Sequence, residues 1–234
     1  MSALLTRAQM PDILLRLAVG TLLSIAMAWW TGPSLAQAFL PSLKWVYAHI
    51  DTDNDVVSLE VSAHGVNYGD DRVYALTIAP HPYIYVGDKL VATNTQGRGR
   101  VSVLTGYLWQ PLVVALPLLL AWPVRRRSEW PIRAVAFLAV GIVVILVDLP
   151  TLLWSEVWSY YVGSVAPGKF SFLLIWGHLL KNGGQTLLGI VIAVLSVSLG
   201  QAFAVNRSTF RLHPQNLPPQ TPANAPDQSL HTQQ

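Results

Sequence analysis

Long apolar runs separated by brief polar punctuation dominate the chain, and one stretch between them alternates with a period of two. Leu108–Val124 and Ile132–Trp154 are apolar runs of about 17 and 23 residues, interrupted only by Arg133 and Asp148. A helix rises about 1.5 Å per residue, so each is long enough to cross a hydrocarbon core of roughly 30 Å. Ile13–Trp30 is a third run, with Arg16 near its start, and Thr31-Gly32-Pro33 is expected to break it. Gln185–Val205 is a fourth, preceded by Lys181-Asn182-Gly183-Gly184. Phe170–Leu180 is apolar but too short to span alone. It reads either as an interfacial or re-entrant segment at 170-180 or as the first part of one long tilted helix running on to Val205.

Between the first two spans the pattern changes twice. Leu35, Phe39, Leu43 and Val46 recur every three or four residues over Ser34–Ile50, an amphipathic helix that Pro41 should kink. From Val56 the period is two: Val57, Leu59, Val61 and Ala63 alternate with Ser58, Glu60 and Ser62. Arg72–Ala79, with Tyr74, Leu76 and Ile78 in phase, follows a turn-rich stretch, and Tyr83–Val86 and Lys89–Thr93 flank Gly87-Asp88 as a hairpin. Val56–Leu104 therefore predicts a small antiparallel sheet of about four strands, marginal alone and in need of a helix, a membrane surface or a partner to lean on.

Charge supplies orientation. Arg125-Arg126-Arg127 sits in the short hinge between the second and third spans, and short Arg-rich loops stay in the cytoplasm. These three arginines are the topology-determining residues. Arg133 at the start of the third span adds to the same cluster. The segment Ser34–Leu104 holds Lys44, Arg72, Lys89, Arg98 and Arg100 against seven acids, which suits the outer side. The expected fold is membrane all-α: four transmembrane helices with a small periplasmic antiparallel β insertion between the first two. Residues 1-31 make the first span, 32-106 the periplasmic segment and 107-205 three transmembrane helices. Residues 206-234, rich in Pro, Gln, Asn and Ser, make a disordered tail. Both termini fall in the cytoplasm of a bacterial inner-membrane protein. The first run reads as a signal anchor, or as a signal peptide cleaved after Ala38, since Ala36-Gln37-Ala38 has the small-x-small form. The bulky Trp29-Trp30 pair favours the anchor.

With 52% hydrophobic and 12% charged residues, a soluble pair of buried helices is a poor alternative. The sequence pI near 9.3 does not point to nucleic acid, because the positive charges gather at span ends rather than along a soluble face. The lipid bilayer is the first partner implied. No cysteine is present, which excludes disulfides, thiolate metal sites and a Cys nucleophile. The six histidines have no metal-ligand spacing, and no cofactor is expected. Asp51-Thr52-Asp53-Asn54-Asp55 starts like an EF-hand loop, but Val56 and Ser62 stand where that loop needs Gly and Glu, so it reads as an acidic turn.

Asp148 is the most informative single residue. An acid inside a span costs roughly 2.5–3.5 kcal/mol on insertion scales unless it is paired or wetted. Pro150 places it beside a helix break, where backbone groups need partners. His178, Lys181 and Asn182 approach from the same outer side and are its expected partners in a structural polar clamp between the third and fourth spans. The sharper alternative is a proton- or substrate-handling site. Lys181-Asn182-Gly183-Gly184 also has two readings, close helix packing with Asn bonding across, or a half-helix terminus that binds an anion. Ser155 or Ser171 with His178 and Asp148 would make a serine triad on paper, but no Gly-x-Ser-x-Gly elbow supports it.

One span, a small outer β segment, the stretch Tyr107-Leu108-Trp109-Gln110-Pro111, a second span ending in Arg-rich residues and two further spans resemble a known layout. It is that of the small membrane proteins associated with bacterial exosortases, of the exosortase H-associated type, over about Leu14–Val205. The resemblance implies an accessory protein that accompanies a sorting transpeptidase. Exosortases themselves use a Cys, an Arg and a His. Asn182-Gly183-Gly184-Gln185 is similar to their Asn-Gly segment before the arginine, but Gln185 stands in the arginine's place and the chain has no cysteine. Their reaction does not carry over. The expected role is a non-catalytic accessory or scaffold protein of an envelope-assembly, protein-sorting or export system, partnered by another membrane or periplasmic protein. The alternative is an intramembrane hydrolase or transferase with Asp148, His178 and Lys181 as its polar centre.

Overall fold

The computed structural model describes residues 10–65, 68–69, 71–86, 89–94, 97–124 and 129–211. Arg125, Arg126 and Arg127, the Gly87-Asp88 turn and the tail from residue 212 lie outside the described residues.

Helix α1, Met10–Ile50, runs 41 residues without interruption. The break expected at Thr31-Gly32-Pro33 does not occur, and Pro33 and Pro41 both lie inside the helix. Each proline removes one backbone donor, but the chain on either side is held by packing: Ala36, Leu43 and Tyr47 are fully buried in the main core. The two halves of α1 meet different surroundings. Along its first half Leu22, Trp29 and Trp30 are 70–86% exposed, and its second half packs against the sheet and its neighbouring helices.

The chain then forms β1 (Asn54–Ser62), β2 (Val73–Pro80), β3 (Tyr83–Val86), β4 (Lys89–Ala92) and β5 (Gly99–Leu104). They make two units rather than one sheet of four. The first is an antiparallel three-stranded sheet of order β1-β2-β5, and the second is a separate β3–β4 ribbon. The central strand β2 is covered on both faces, with Val73, Tyr74, Ala75 and Leu76 all buried. Its Tyr74 hydroxyl donates to the Ala36 carbonyl of α1 at 3.2 Å, and burial pushes that hydroxyl well above its ordinary pKa. In β1 the pairing register shifts between Val56 and Ser58. The extra residue of this bulge, Val57, turns out and is 41% exposed, whereas Val56, Leu59 and Val61 pack inward. The alternation beginning at Val57 therefore starts one residue late.

Helix α2, Gly106–Ala121, has 16 residues and is about 24 Å long. Helix α3, Glu129–Val165, has 37. The sequence, with its Gly and Pro residues, reads Ser155–Lys169 as a short outer loop, but α3 passes straight through Ser155, because Leu152, Leu153, Val157, Tyr161 and Val162 continue one buried stripe beneath the sheet. Helix α4, Phe172–Leu179, leads through a kinked turn, Leu180–Gly184, into α5, Gln185–Arg211. Asn182 (φ −97°, ψ 29°) and Gly183 (φ 115°, ψ −6°) leave helical geometry there. The Gly183 φ is one that side-chain-bearing residues rarely adopt. The segment at 170-180 is thus the first arm of a bent helical run, and the helix ends at Arg211, past the Val205 at which the sequence pattern stops.

Among the described residues, Met10–Ile50, Glu129–Val165 and Phe172–Phe203 are long and apolar enough to cross a membrane, which marks the chain as a membrane protein. One face of α5 is small and polar: Gln185, Gly189, Ala193, Ser196 and Gly200 are all buried. A Cβ at Gly189 would stand 2.6 Å from the Pro111 carbonyl oxygen, so α2 and α5 touch nearly backbone to backbone. Small residues permit such approach where lipid gives helices little hydrophobic reason to associate.

Candidate functional site

The residues singled out around Asp148 are distributed over separate contacts. Asp148 sits midway along α3, 5% exposed, and the residue that reaches it is Gln185, whose Nε2 donates to Asp148 Oδ2. Gln185 is the first residue of α5 and is fully enclosed. Lys181, one turn earlier, turns to Glu156 of α3 and forms an ion pair with it. His178 is exposed, and Asn182, also exposed, donates back to the His178 backbone carbonyl at 2.8 Å. Asp148 and Lys181 therefore do not pair. The kink at Asn182-Gly183 separates Lys181 from Gln185, and Lys181 meets Glu156, about two turns along α3 from Asp148. Both contacts still tie α3 to the α4–α5 arm, one at each side of the kink.

The serines of a conceivable triad are engaged elsewhere. Ser155 is buried and donates to the Leu152 carbonyl at 2.8 Å, and Gly177 of α4 packs so closely that a Cβ would meet its Oγ at 2.3 Å. Ser171 accepts from Trp158 Nε1 at 3.0 Å.

A second polar cluster, not foreseen as a unit, lies where α1 enters the sheet. Asp51 is 2% exposed. Its Oδ2 accepts from the Tyr47 hydroxyl at 2.6 Å and from Asn54 Nδ2 at 2.9 Å, and its Oδ1 accepts from the Asp53 backbone N–H at 3.2 Å. The Tyr161 hydroxyl of α3 donates to Asn54 Oδ1 at 2.7 Å. The acidic turn is therefore a knot joining α1, β1 and α3. Its acids diverge: Asp51 points inward, and Asp55, 79% exposed, faces His81 at 3.5 Å. Among the described residues no group of three or more His, Cys, Asp or Glu side chains could hold a metal ion. The signal that was available is the pairing of Asp51 with Tyr47 four residues earlier on one helix face.

At the opposite end of the bundle Arg133, read in the sequence as a surface topogenic charge, is 0% exposed. Its guanidinium donates to Glu129 Oε2 at 2.8 Å and to the Trp122 and Pro123 carbonyls at 3.3 and 3.2 Å. Those carbonyls lie just past the end of α2, where no helical donor remains, so the arginine satisfies them and faces the negative end of the α2 dipole. Gly200 of α5 makes room for it, since a Cβ there would lie 2.4 Å from Arg133 Cγ.

The open spaces are clefts rather than closed chambers. One of about 640 Å³ runs beside α3 and α4 and is lined by Asp53, Thr151 and the rings of Trp154, Trp158, Phe172 and Trp176. Indole and phenyl rings of this kind suit the membrane–water interface. On the β3–β4 ribbon, Ile84 and Val86 are buried while Tyr83, Tyr85 and Leu90 are 55–67% exposed. The sequence suggests a tyrosine-rich docking surface of Tyr74, Tyr83 and Tyr85, but Tyr74 is not part of it, because β2 is the central strand and buries it completely. No protein-family model, no curated protein and no solved structure matches the chain.

Proposed function

We propose that the protein is a non-catalytic accessory or scaffold subunit of a bacterial envelope-assembly, protein-sorting or export system. In this reading it crosses the inner membrane four times, with both termini cytoplasmic and the sheet in the periplasm. Helix α2 serves as the second, short span, completed by Trp122-Pro123-Val124 and capped by Arg133. The observation that carries the proposal is the division of labour among the side chains. Polar groups are spent on joining helices, while the β3–β4 ribbon offers Tyr83, Tyr85 and Leu90 outward with none of the described residues covering them. Exposed aromatic residues beside unpaired strand edges are the usual means by which a small sheet receives another protein. The resemblance to exosortase-associated proteins points the same way. The intramembrane enzyme reading has less support, because Asp148, His178 and Lys181 converge on no common space.

Two measurements test this. A photo-crosslinking residue at Tyr85 should capture one membrane or periplasmic protein in the native host, and the same residue at Lys44, on the outward face of α1, should not. Absence of any adduct at Tyr85, with the protein present at normal abundance in the membrane, would remove the docking role. Reporter fusions at Gly97 and at the C-terminus should report outside and inside respectively. A tail on the outside would mean that α2 does not cross and that the span count is three.

A further inference from the structure

Two enclosed oxygens in the helix bundle have no donor. Asp148 Oδ1 and Gln185 Oε1 both lack a hydrogen-bond partner, although the two side chains are already joined through Gln185 Nε2 and Asp148 Oδ2. Both residues are at least nine-tenths buried. With the carboxylate ionised, two acceptors stay bare in a place water does not reach, an arrangement that buried polar groups avoid. A single hydrogen atom satisfies both. Placed on Oδ1, it makes that oxygen a donor, and Gln185 Oε1 is the enclosed acceptor that lacks one.

Among the described residues, no unpaired cation is placed to do the same work. Lys181 is paired with Glu156, and Arg133 with Glu129 at the start of α3. Helix α2 and the stretch from Gln185 to Phe203 carry no charged residue. His178 of α4 is exposed. On α1, Asp12 and Arg16 lie at its first turns, and Lys44, His49 and Asp51 lie at or just past its far end. The site also sits between two weakened points, Pro150 in α3 and the Asn182-Gly183 kink ahead of α5.

We propose that Asp148 is a membrane-buried proton-binding site that holds α3 to α5 as a neutral acid closed on Gln185, and that opens this contact at the kinked turn when the proton leaves. Loss of the proton turns one hydrogen bond into two facing oxygens, and the kink is the joint that yields. The nearest open space is the tryptophan-lined cleft, whose lining includes Thr151, one turn along α3 from Asp148. This inference needs the chain to span a bilayer but does not depend on the accessory role.

The test is infrared spectroscopy of the full chain in lipid nanodiscs at neutral pH, comparing wild type with Asp148→Asn. The expected result is a protonated-carboxyl C=O band in the wild type that is missing from the variant and that fades as the pH is raised. Carboxyl-labelled aspartate should shift that band, which excludes glutamate, and Asp51→Asn should keep it, so the assignment to Asp148 does not rest on one variant. In thermal melts Asp148→Asn should stay within a few degrees of wild type, since an amide pair keeps both hydrogen bonds, and Asp148→Ala should melt at least about 5 °C lower. A wild-type spectrum without a label-sensitive protonated band would overturn the proposal, as would Asp148→Asn melting as low as Asp148→Ala.

Discussion

Replacing Asp51 by Ala is expected to detach the sheet from its helical mounts, with a loss of about 2–5 kcal/mol from enclosed donors left without their acceptor. The variant leaves the Tyr47 hydroxyl and Asn54 Nδ2 enclosed without the acceptor they share, and each orphaned donor costs about 1–3 kcal/mol. It also frees Asn54 to rotate, which weakens its bond from Tyr161 of α3. Thermal unfolding in detergent should show the loss, and limited proteolysis should cut first within 54–104 rather than in the helices. Adding Tyr47→Phe to Asp51→Ala should cost less than the sum of the two single changes, because the second removes a donor that the first has stranded. An Asp51→Ala protein with wild-type melting and proteolysis would show that the knot carries no weight.

Arg133→Leu is the second change expected to be severe, about 3–5 kcal/mol, with a distinctive rescue. It strands the Glu129 carboxylate, which is 3% exposed, and removes the donors to the two carbonyls that follow α2. Replacing both partners, Glu129→Leu with Arg133→Met, should recover part of the loss, since an apolar pair carries no buried charge. Arg133→Lys should fall between, because an ammonium cannot serve three acceptors in the guanidinium's fixed fork. Membrane abundance and melting temperature decide the matter. If Arg133 acted only as a topogenic charge, Arg133→Leu would alter reporter orientation and leave the melting temperature unchanged.

The settings of Asp51 and Arg133 illustrate what the sequence made legible. Runs of apolar residues revealed the three helices long enough to cross a membrane, because transfer to lipid depends on composition and length, both of which are local. The ends of the helices were not legible in the same way. Gly32-Pro33 signals a stop, yet α1 continues because Ala36, Leu43 and Tyr47 gain a core on the far side, and a core is assembled from distant residues. Ser155 likewise reads as a loop until Val157, Tyr161 and Val162 are seen beneath the sheet. Asp148 stood out as an acid in an apolar run, but its partner depended on the phase of α5 against α3, which no local pattern records. Gln185 was visible only as a lone polar residue heading the small-residue face that continues through Gly189, Ala193, Ser196 and Gly200. Arg133 was indistinguishable from a surface charge, because the groups it satisfies are backbone carbonyls. The knot at Asp51 gathers Tyr47, Asp53 and Asn54 by local spacing, but its tie to α3 joins residues 107 positions apart.

The unbroken length of α1 has a mechanical consequence. At about 1.5 Å per residue its 41 residues extend roughly 60 Å, about twice the thickness of a hydrocarbon core. Its C-terminal half is fastened to the sheet through Tyr47, Tyr74 and Asp51, with no flexible linker between. In the proposed topology such a helix acts as a lever whose fulcrum is the bilayer surface. A change of about 10° in its tilt, well within the roughly 0–40° that spanning helices adopt, swings the far end by about 5 Å. Whatever rests on the β3–β4 ribbon would therefore sense bilayer thickness and helix tilt directly.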